Sequence, residues 1–248
     1  MSSTARDGFH PVIRKLNSVF TLTGSEREAV ERLPIQIHHV RADQDIVREG
    51  DRPTRCFALL DGFAASFKLT GEGKRQVLAF HIPGDLPDLQ SLHLEELDCN
   101  IGTITPCKLG FIQHEPLREL CATQPRIASA FWRDTLIEAA IFREWTTNVG
   151  RREAYARLAH VLCELVVRMR AVGLAEDHRC ELPMTQTELA DATGLSTVHV
   201  NRTLQELRHD ELITLKAGKL QVLDWPRLKE AGDFDPRYLH LKTTAAAA

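Results

Sequence analysis

Polar side chains that can bind nucleic acid concentrate in one stretch of the chain, residues 184–212. In its second half Val200, Leu204 and Leu207 recur at spacings of four and three, which predicts an amphipathic helix that buries this face. The polar residues of the same helix then face outward: Thr197, His199, Asn201, Arg202 and Gln205. In the major groove of B-DNA an arginine can pair bidentately with guanine and an asparagine with adenine. These residues therefore favour base recognition and phosphate binding.

The residues before this helix are typical of a helix-turn-helix. Thr185 and Glu188 form a capping-box sequence, which predicts that a first helix begins at Gln186. Gly194 supplies the positive φ that ends this helix, and Ser196 can cap the second one. Two short helices joined by a glycine turn also occur in helical proteins that never bind DNA, so this pattern alone leaves both interpretations open.

Two short strands are predicted after the second helix. Residues 212–215 and 220–223 are mostly apolar and flank a turn that contains Gly218. Lys216 and Lys219 stand on either side of this turn, where they suit phosphates, which position a protein on DNA without specifying a sequence. The combination predicts a winged helix-turn-helix whose second helix fits the major groove.

Length and charge favour a two-domain protein with only a local DNA-binding surface. The 248 residues exceed the usual size of one domain. We expect a soluble, cytoplasmic protein without membrane contact, because no apolar run of about 18 residues and no signal peptide is found. Residues 151–248 hold 14 basic and 14 acidic side chains, so the net charge of −3 falls on the first 150 residues. Attraction to DNA must come from local cations.

The six cysteines are scattered and include no Cys-x-x-Cys pair, so we expect most of them to be buried as small apolar residues. Cys180 differs because it lies in the polar segment 175–183. An exposed thiol there is one hypothesis for a redox switch of DNA binding, and an unreactive thiol like the other five is the simpler alternative.

The first half of the chain changes from helical to β-rich. Residues 1–33 are predicted to be helical, with a capping box at Ser25 and Glu28. Residues 35–113 consist of short β-rich pieces separated by turn signals at Gly50-Asp51, Asp61-Gly62, Gly71-Glu72-Gly73 and Pro83-Gly84-Asp85. Strands of this length and spacing predict an antiparallel sandwich or barrel.

A long helix is predicted from Pro125 to about Val149, because this segment has no internal glycine or proline. The apolar series expected to form a dimer seam comprises Ile127, Phe131, Ile137, Ile141 and Trp145. Further apolar residues lie on another face, so the helix must contact both its own domain and something else. A second copy of the chain is the simplest partner. A helix buried within one subunit is the alternative. Residues 150–152 interrupt the pattern and are predicted to separate two domains.

Enzymatic activity is not predicted. The sequence contains no dinucleotide-binding glycine motif, no P-loop, no Gly-x-Ser-x-Gly and no His-Glu-x-x-His. The acidic pairs Asp85/Asp88 and Glu95/Glu96 are more simply explained as solvated turns than as catalytic acids and bases. The main alternative to a DNA-binding protein is a regulatory module whose β-domain binds a partner protein without specific DNA binding.

The order of these parts resembles the CRP/FNR superfamily of bacterial transcription regulators over nearly the whole chain. The residues that carry the resemblance are Leu60-Asp61-Gly62, Gly71-Glu72-Gly73-Lys74, Pro83-Gly84-Asp85, Pro125, Arg157-Leu158-Ala159, residues 185–190 and 194–196, and Val200-Asn201-Arg202. The resemblance implies an α+β fold: helices and an antiparallel β-roll of the cyclic-nucleotide-binding jelly-roll type at 1–124, a long dimerisation helix at 125–150, a winged helix-turn-helix at 151–230 and a tail at 231–248.

The resemblance also implies partners and DNA contacts. The protein would be a homodimer that binds a pseudo-palindromic DNA site, with half-sites about 34 Å apart, senses an effector in the β-roll and contacts RNA polymerase. Carried over by position, the residues facing base edges are Val198, Asn201 and Arg202. Those holding phosphates are Thr185, Gln186, Thr187, Ser196, Thr197 and His199, together with the two wing lysines. Val198 replaces the glutamate usual in the family, so a thymine methyl contact is expected there instead of a cytosine contact.

The known effectors of the family do not fit this sequence. Cyclic-AMP-binding members use a Gly-Glu pair and an Arg-Ser pair, whereas residues 85–102 contain no arginine or lysine and several carboxylates. Iron–sulfur members cluster cysteine ligands near the N-terminus, where the first 55 residues have none. For haem, His81 and His93 are available as axial ligands but are isolated. We therefore expect no cofactor, and a branch other than the cyclic-AMP and iron–sulfur ones.

The tail is predicted to fold back onto the protein through apolar residues, with residues 242–248 frayed. These apolar residues are Leu228, Phe234, Tyr238, Leu239 and Leu241.

Overall fold

The computed structural model describes residues 10–242, which divide into two compact units. Among these residues the first unit comprises 10–67, 80–139 and 240–242, and the second comprises 68–79 and 140–239. This division differs from the predicted boundary near residue 150, because the first half of the long helix packs Ile127, Ala130 and Phe131 into the core of the first unit. The start of the helical region predicted from residue 1, and the tail after residue 242, lie outside the described residues.

The long helix and the two helices of the helix-turn-helix lie close to their predicted positions, whereas the helices at 114–123 and 225–231 were not predicted. The helices are α1 His10–Val19, α2 Gly24–Glu31, α3 His114–Thr123, α4 Pro125–Arg151, α5 Ala154–Ala171, α6 Gln186–Thr193, α7 Thr197–His209 and α8 Trp225–Ala231, with 3-10 turns at Leu89–Leu92 and Pro236–Leu239. The capping box of α2 uses Thr23 and Glu26, so its assignment to Ser25 and Glu28 is wrong. Thr23 has the extended backbone that a capping residue needs, whereas Ser25 already lies inside the helix. Among the described helices, none is long and apolar enough to cross a bilayer.

The first seven strands confirm the predicted antiparallel β-roll. They are β1 Gln36–Val40, β2 Asp45–Val47, β3 Arg55–Asp61, β4 Ala64–Leu69, β5 Arg75–His81, β6 Asn100–Thr103 and β7 Cys107–Gln113. One sheet has the order β1-β7-β3 and the other β2-β6-β4-β5. Phe57, Leu59, Ile101 and Leu109 are fully buried in one shared cluster. Alternating side chains from two sheets thus form a dry core, as in a sandwich.

Helix α4 presents a different face from the predicted one. It continues through Gly150 and ends at Arg151, since one glycine costs a helix only about 1 kcal/mol. The five residues predicted to form the dimer seam are buried within the single chain: Ile127, Phe131, Ile137, Ile141 and Trp145. That assignment is wrong because these side chains already pack inside their own chain. The exposed apolar residues of α4 are Trp132 and Leu136, which are 69% and 55% exposed.

Helix α5 is the centre of the second unit, with every residue from Leu158 to Met169 buried. A charged residue lies at its middle. The Glu164 carboxylate accepts hydrogen bonds from the Trp145 indole N–H at 3.0 Å and the Tyr238 hydroxyl at 2.7 Å. It also accepts one from the Arg168 guanidinium at 3.2 Å. Buried charges persist in proteins only when they are paired in this way. The predicted return of the tail is confirmed, since Leu228, Phe234 and Leu239 are buried.

His160 lies beside this cluster and is fully buried. Its Nδ1 donates to the carbonyl oxygen of Gly232 over 3.0 Å, and its Nε2 lies 3.2 Å from the Tyr238 hydroxyl. Burial lowers the pKa of His160, and the nearby Arg152 lowers this pKa further, against the opposing effects of Glu164 and Glu144. Burial therefore keeps His160 neutral.

We expect the second unit to lose stability as the pH falls below about 6.5, the usual histidine pKa. Since the pKa of His160 is lower in the folded chain than in the unfolded chain, the unfolded chain takes up the proton first. The stability that neutral His160 contributes is fully present above the histidine pKa of the unfolded chain. It is lost as the pH falls towards the lower pKa of His160 in the folded chain. Urea unfolding at pH 7.5 and 5.5 measures this loss. His160→Asn should reduce the difference, and His209→Asn, at an exposed position, should not. An unchanged difference in His160→Asn would contradict the assignment.

Candidate nucleic-acid interface

Helix α6 begins at Gln186, as predicted, through a complete capping box. The Thr185 hydroxyl accepts from the backbone N–H of Glu188 at 3.2 Å. In return the Glu188 carboxylate accepts from the Thr185 backbone N–H at 2.6 Å and from its hydroxyl at 2.8 Å. Gly194 ends the helix in the left-handed conformation, with φ +64°, and a Cβ there would lie 3.3 Å from Val149. The predicted turn is confirmed, and its geometry favours glycine.

Helix α7 has one buried and one exposed face. Ser196 caps it by accepting from the backbone N–H of His199 at 3.2 Å, which confirms the predicted start. Its buried residues are Val200, Thr203, Leu204 and Leu207. Because the apolar face anchors the helix to the core of its unit, the opposite face is held at the surface.

The three residues predicted to contact bases lie on this exposed face of α7. Val198, Asn201 and Arg202 follow the three- and four-residue spacing that places side chains on one side of a helix. Val198 is 78% exposed. The Arg202 guanidinium lies 3.0 Å from Nε2 of His199 and 3.6 Å from a carboxylate oxygen of Glu206. These contacts orient the arginine and leave it accessible.

The Asn201 carboxamide makes hydrogen bonds at both of its ends. Its Nδ2 donates to Oε1 of Gln186 over 3.1 Å, and its Oδ1 accepts from Nε2 of Gln205 at 3.1 Å. Neither contact was predicted from the sequence. Gln186 and Asn201 are 15 residues apart, so no local pattern connects them. For Gln205, the signal was its place one turn after Asn201 on the outward face.

The residues predicted to bind phosphates differ in what their side chains already do. Thr187, Ser196, Thr197, Lys216 and Lys219 are exposed, and His199 is half-buried at the first turn of α7. The hydroxyl hydrogen of Thr185 is used inside the capping box, and the carbonyl oxygen of Gln186 accepts from Asn201. Thr185 and Gln186 thus already make hydrogen bonds within the helix-turn-helix, and their contact with phosphates stays a prediction.

The predicted wing is confirmed, and it contains a third and a fourth strand. Its sheet has the order β10-β11-β9-β8, formed by β8 Ala175–Glu176, β9 Arg179–Glu181, β10 Ile213–Lys216 and β11 Lys219–Val222. Lys216 pairs directly with Lys219 across a turn in which Ala217 and Gly218 both have positive φ, +49° and +71°. The tip of the wing therefore presents two exposed ammonium groups next to each other.

Strand β9 corrects the prediction for Cys180. This residue pairs with Leu220 of β11 and is 8% exposed. Burial raises the pKa of the Cys180 thiol to about 11. A buried thiol with a raised pKa does not react readily with oxidants, so the proposed redox switch at Cys180 loses its physical basis.

Two interactions that hold α6 in place were missed in the sequence. The guanidinium of Arg157 donates to the carbonyl oxygen of Thr193 at the end of α6, over 2.6 Å. Arg75, which belongs to the second unit, donates to the Asp191 carboxylate over 2.7 Å. No local pattern reveals a pair that is separated by more than 100 residues.

Comparison with known families supports both domains of this description. A model of the Crp-like helix-turn-helix domain matches residues 156–231, and a model of the cyclic nucleotide-binding domain matches residues 37–124. The structure is similar to that of FixK2 from Bradyrhizobium japonicum, with a TM-score of 0.73 and 24% identity over 80% of this chain and 98% of that chain.

Curated relatives are similar over most of their length. The transcriptional activator protein FnrL of Cereibacter sphaeroides is 28% identical over 199 residues, 78% of this chain and 79% of the relative. The nitrogen fixation regulation protein FixK of Bradyrhizobium diazoefficiens is 26% identical over 84% of this chain and 86% of the relative. The chain thus contains a cyclic nucleotide-binding domain followed by a Crp-like helix-turn-helix domain, and it is similar over most of its length to CRP/FNR-type transcription regulators.

Proposed function

We propose that the protein regulates transcription as a homodimer that binds a two-fold symmetric DNA site through the exposed face of α7. The observation that carries this proposal is Val198, a valine that is 78% exposed beside Arg202 and Asn201 on a helix whose opposite face is fully packed. A helix that served only for packing has no reason to place these three groups together on its outward face, whereas a recognition helix does. The protein would bind this DNA in the cytoplasm.

Each exposed group has a distinct chemical role in this proposal. Arg202 donates two hydrogen bonds to guanine, Asn201 pairs with adenine, and Val198 contacts a thymine methyl group. Lys216 and Lys219 hold phosphates at the tip of the wing. Because Val198 stands where the family usually has a glutamate, the target site differs from the common site of the family.

Helix α4 supplies the dimer contact in this proposal. Ala128, Trp132, Thr135, Ala139 and Phe142 alternate at spacings of four and three, and all of them are exposed or half-buried. This spacing produces a seam that a second copy of the same helix can fill by knobs-into-holes packing. A homodimer has two copies of α7, one for each half-site of a two-fold symmetric DNA site.

We propose that the effector is not a cyclic nucleotide. The segment that would hold its phosphate contains two carboxylates, Asp85 and Asp88, which are buried rather than in the solvated turns expected from the sequence. Asp85 pairs with Lys15 at 2.6 Å, and Asp88 accepts from the backbone N–H of Phe57 at 2.9 Å. Burial raises the pKa of Asp88 to about 7. A carboxylate-lined segment without a free cation disfavours an anionic ligand.

Iron–sulfur and haem sensing are likewise not proposed. Five of the six cysteines are buried, at places separated along the chain, and the described residues contain no group of His, Cys, Asp and Glu arranged for a metal ion. His81 is buried with Nε2 2.6 Å from the Ser66 hydroxyl, and Nδ1 faces Asp85 at 3.9 Å. We expect purified protein to contain no iron and to show no haem absorbance. The proposed function includes no enzymatic activity. A regulator of transcription is expected to contact RNA polymerase, and this contact stays a prediction.

Two substitutions separate base recognition from phosphate binding. Arg202→Ala should weaken binding to the selected site by about 1–3 kcal/mol and relax one base position. Lys219→Ala should weaken all sequences alike and lower the slope of log affinity against log salt by about one. Selection of DNA sites by the purified protein, followed by titrations at two salt concentrations, measures both effects. Unchanged affinity in both variants would contradict the proposal.

A further inference from the structure

We propose that Gln186 and Gln205 are positioning residues that hold the Asn201 carboxamide in the orientation that reads adenine. The proposal rests on the proposed DNA-binding function. It adds two residues that determine which base is preferred, and it assigns them a role other than contact with DNA.

Three side-chain amides form a continuous row across the helix-turn-helix. Gln186 is the first residue of α6, and Asn201 and Gln205 lie one turn apart on α7. The two hydrogen bonds of this amide row are both 3.1 Å long, and Asn201 is its central member. Gln186 and Gln205 are exposed, whereas Asn201 is half-buried between them.

The amide row sets the rotation of the Asn201 side chain. The last torsion of an asparagine is otherwise broad, and a half-turn about it exchanges the oxygen and nitrogen ends. In the row, the nitrogen end faces an acceptor on Gln186 and the oxygen end faces a donor on Gln205. A half-turn of Asn201 would place its Oδ1 against Oε1 of Gln186 and its Nδ2 against Nε2 of Gln205, unless both glutamines turned with it. A half-turn of Asn201 alone thus loses both hydrogen bonds, so its two neighbours restrict the rotation of its side chain.

The amide row leaves Asn201 the groups that adenine needs. A carboxamide has two N–H donors and two oxygen lone pairs, and the row uses one of each. Adenine offers one acceptor, N7, and one donor, the N6 amino group, in the major groove. The remaining N–H and lone pair of Asn201 match these two groups. Because the side chain is ordered before binding, less rotational freedom is lost when it meets the base.

Methionine substitutions test this role. Gln186→Met and Gln205→Met preserve the length of the side chain and its helix propensity but remove the carboxamide. Gln113→Met, at an exposed glutamine in the first unit, is the matched control. The base position read by Asn201 is the one whose preference is lost in Asn201→Ala. Affinities are measured for the site selected by the wild type and for three versions of it that carry each other base at this position. Gln205→Met is also combined with Asn201→Ala.

We expect both single variants to reduce the adenine preference at that one position roughly 3- to 10-fold, the effect of losing one hydrogen bond. Preferences at other positions, the salt dependence and the thermal midpoint should match the Gln113→Met control. In the Asn201→Ala background, Gln205→Met should have no further effect on base preference, because a positioning residue acts only through the side chain that it holds.

Several outcomes would overturn the proposal. Loss of preference at a different base position would make Gln205 a direct base reader. A uniform loss over all sequences with a lower salt slope would make Gln186 a phosphate ligand. An effect that persists in the Asn201→Ala background, an unchanged preference in both variants, or a preferred base other than adenine would each also refute it. Failure of the proposed function looks different, because the wild type itself would then select no site.

Discussion

Replacing Trp132 with glutamate is expected to convert the protein into a monomer and to reduce its affinity for a two-half-site DNA by about 10²- to 10⁴-fold. Trp132 is 69% exposed within the chain, so the substitution leaves the core of its own unit intact. In the proposed dimer it lies in the α4 seam, where a buried carboxylate without a partner is strongly unfavourable. Since each DNA-binding unit then binds alone, the gain from linking two binding events is lost.

Sedimentation and DNA titration measure the two consequences together. The wild type should sediment at twice the chain mass of 27.9 kDa, and Trp132→Glu at the chain mass. Affinity for a single half-site should be the same in both proteins. Leu136→Glu should behave like Trp132→Glu because the two residues are one turn apart on α4. Leu94→Glu is the control, since Leu94 is 53% exposed but lies outside α4. A Trp132→Glu protein that stays dimeric would exclude α4 as the dimer contact.

Replacing Glu164 with alanine is expected to destabilise the second unit by about 3–5 kcal/mol, the usual effect of removing one partner of a buried ion pair. Glu164 is fully buried and receives hydrogen bonds from three side chains that come from different parts of the chain. Alanine would leave the guanidinium of Arg168 without its carboxylate. It would also leave the indole N–H of Trp145 and the hydroxyl of Tyr238 without their common acceptor.

Two further variants separate charge from hydrogen bonding at this site. Glu164→Gln keeps a hydrogen-bond acceptor of the same size and should cost less than alanine. Glu164→Leu combined with Arg168→Met removes the whole ion pair and should recover part of the loss, because apolar pairs of similar volume often replace buried ion pairs without penalty. Urea unfolding followed by tryptophan fluorescence reports on Trp145 together with Trp132 and Trp225. An unchanged midpoint in Glu164→Ala would show that the cluster contributes nothing to stability.

The Glu164 cluster also explains why the chain continues beyond its helix-turn-helix domain. The matched domain model ends at residue 231, whereas Phe234, Tyr238 and Leu239 follow it. Phe234 and Leu239 are buried, and Tyr238 reaches the Glu164 carboxylate over 2.7 Å. Residues 232–239 therefore complete the core of the second unit rather than forming a loose tail.

Local signals determined the helix-turn-helix from the sequence alone. The capping box at Thr185 and Glu188, the positive φ of Gly194 and the cap at Ser196 each act within four residues. The hydrogen bonds and backbone angles of such signals do not depend on the rest of the fold, which is why these predictions were confirmed. The two strands of the wing were predictable for the same reason, from a short turn between alternating apolar residues.

The tertiary structure decided which faces are free and which distant groups meet. Several faces of α4 are apolar, and only packing shows that Ile127 and Phe131 point inward while Trp132 points outward. Cys180 stands among polar residues and is nevertheless covered by the wing. Glu164 meets Tyr238 across 74 residues, and Asn201 meets Gln186 across 15. Hydrophobic periodicity identifies a helix but does not identify its neighbours, and a hydrogen bond between distant residues exists only after folding has brought them together.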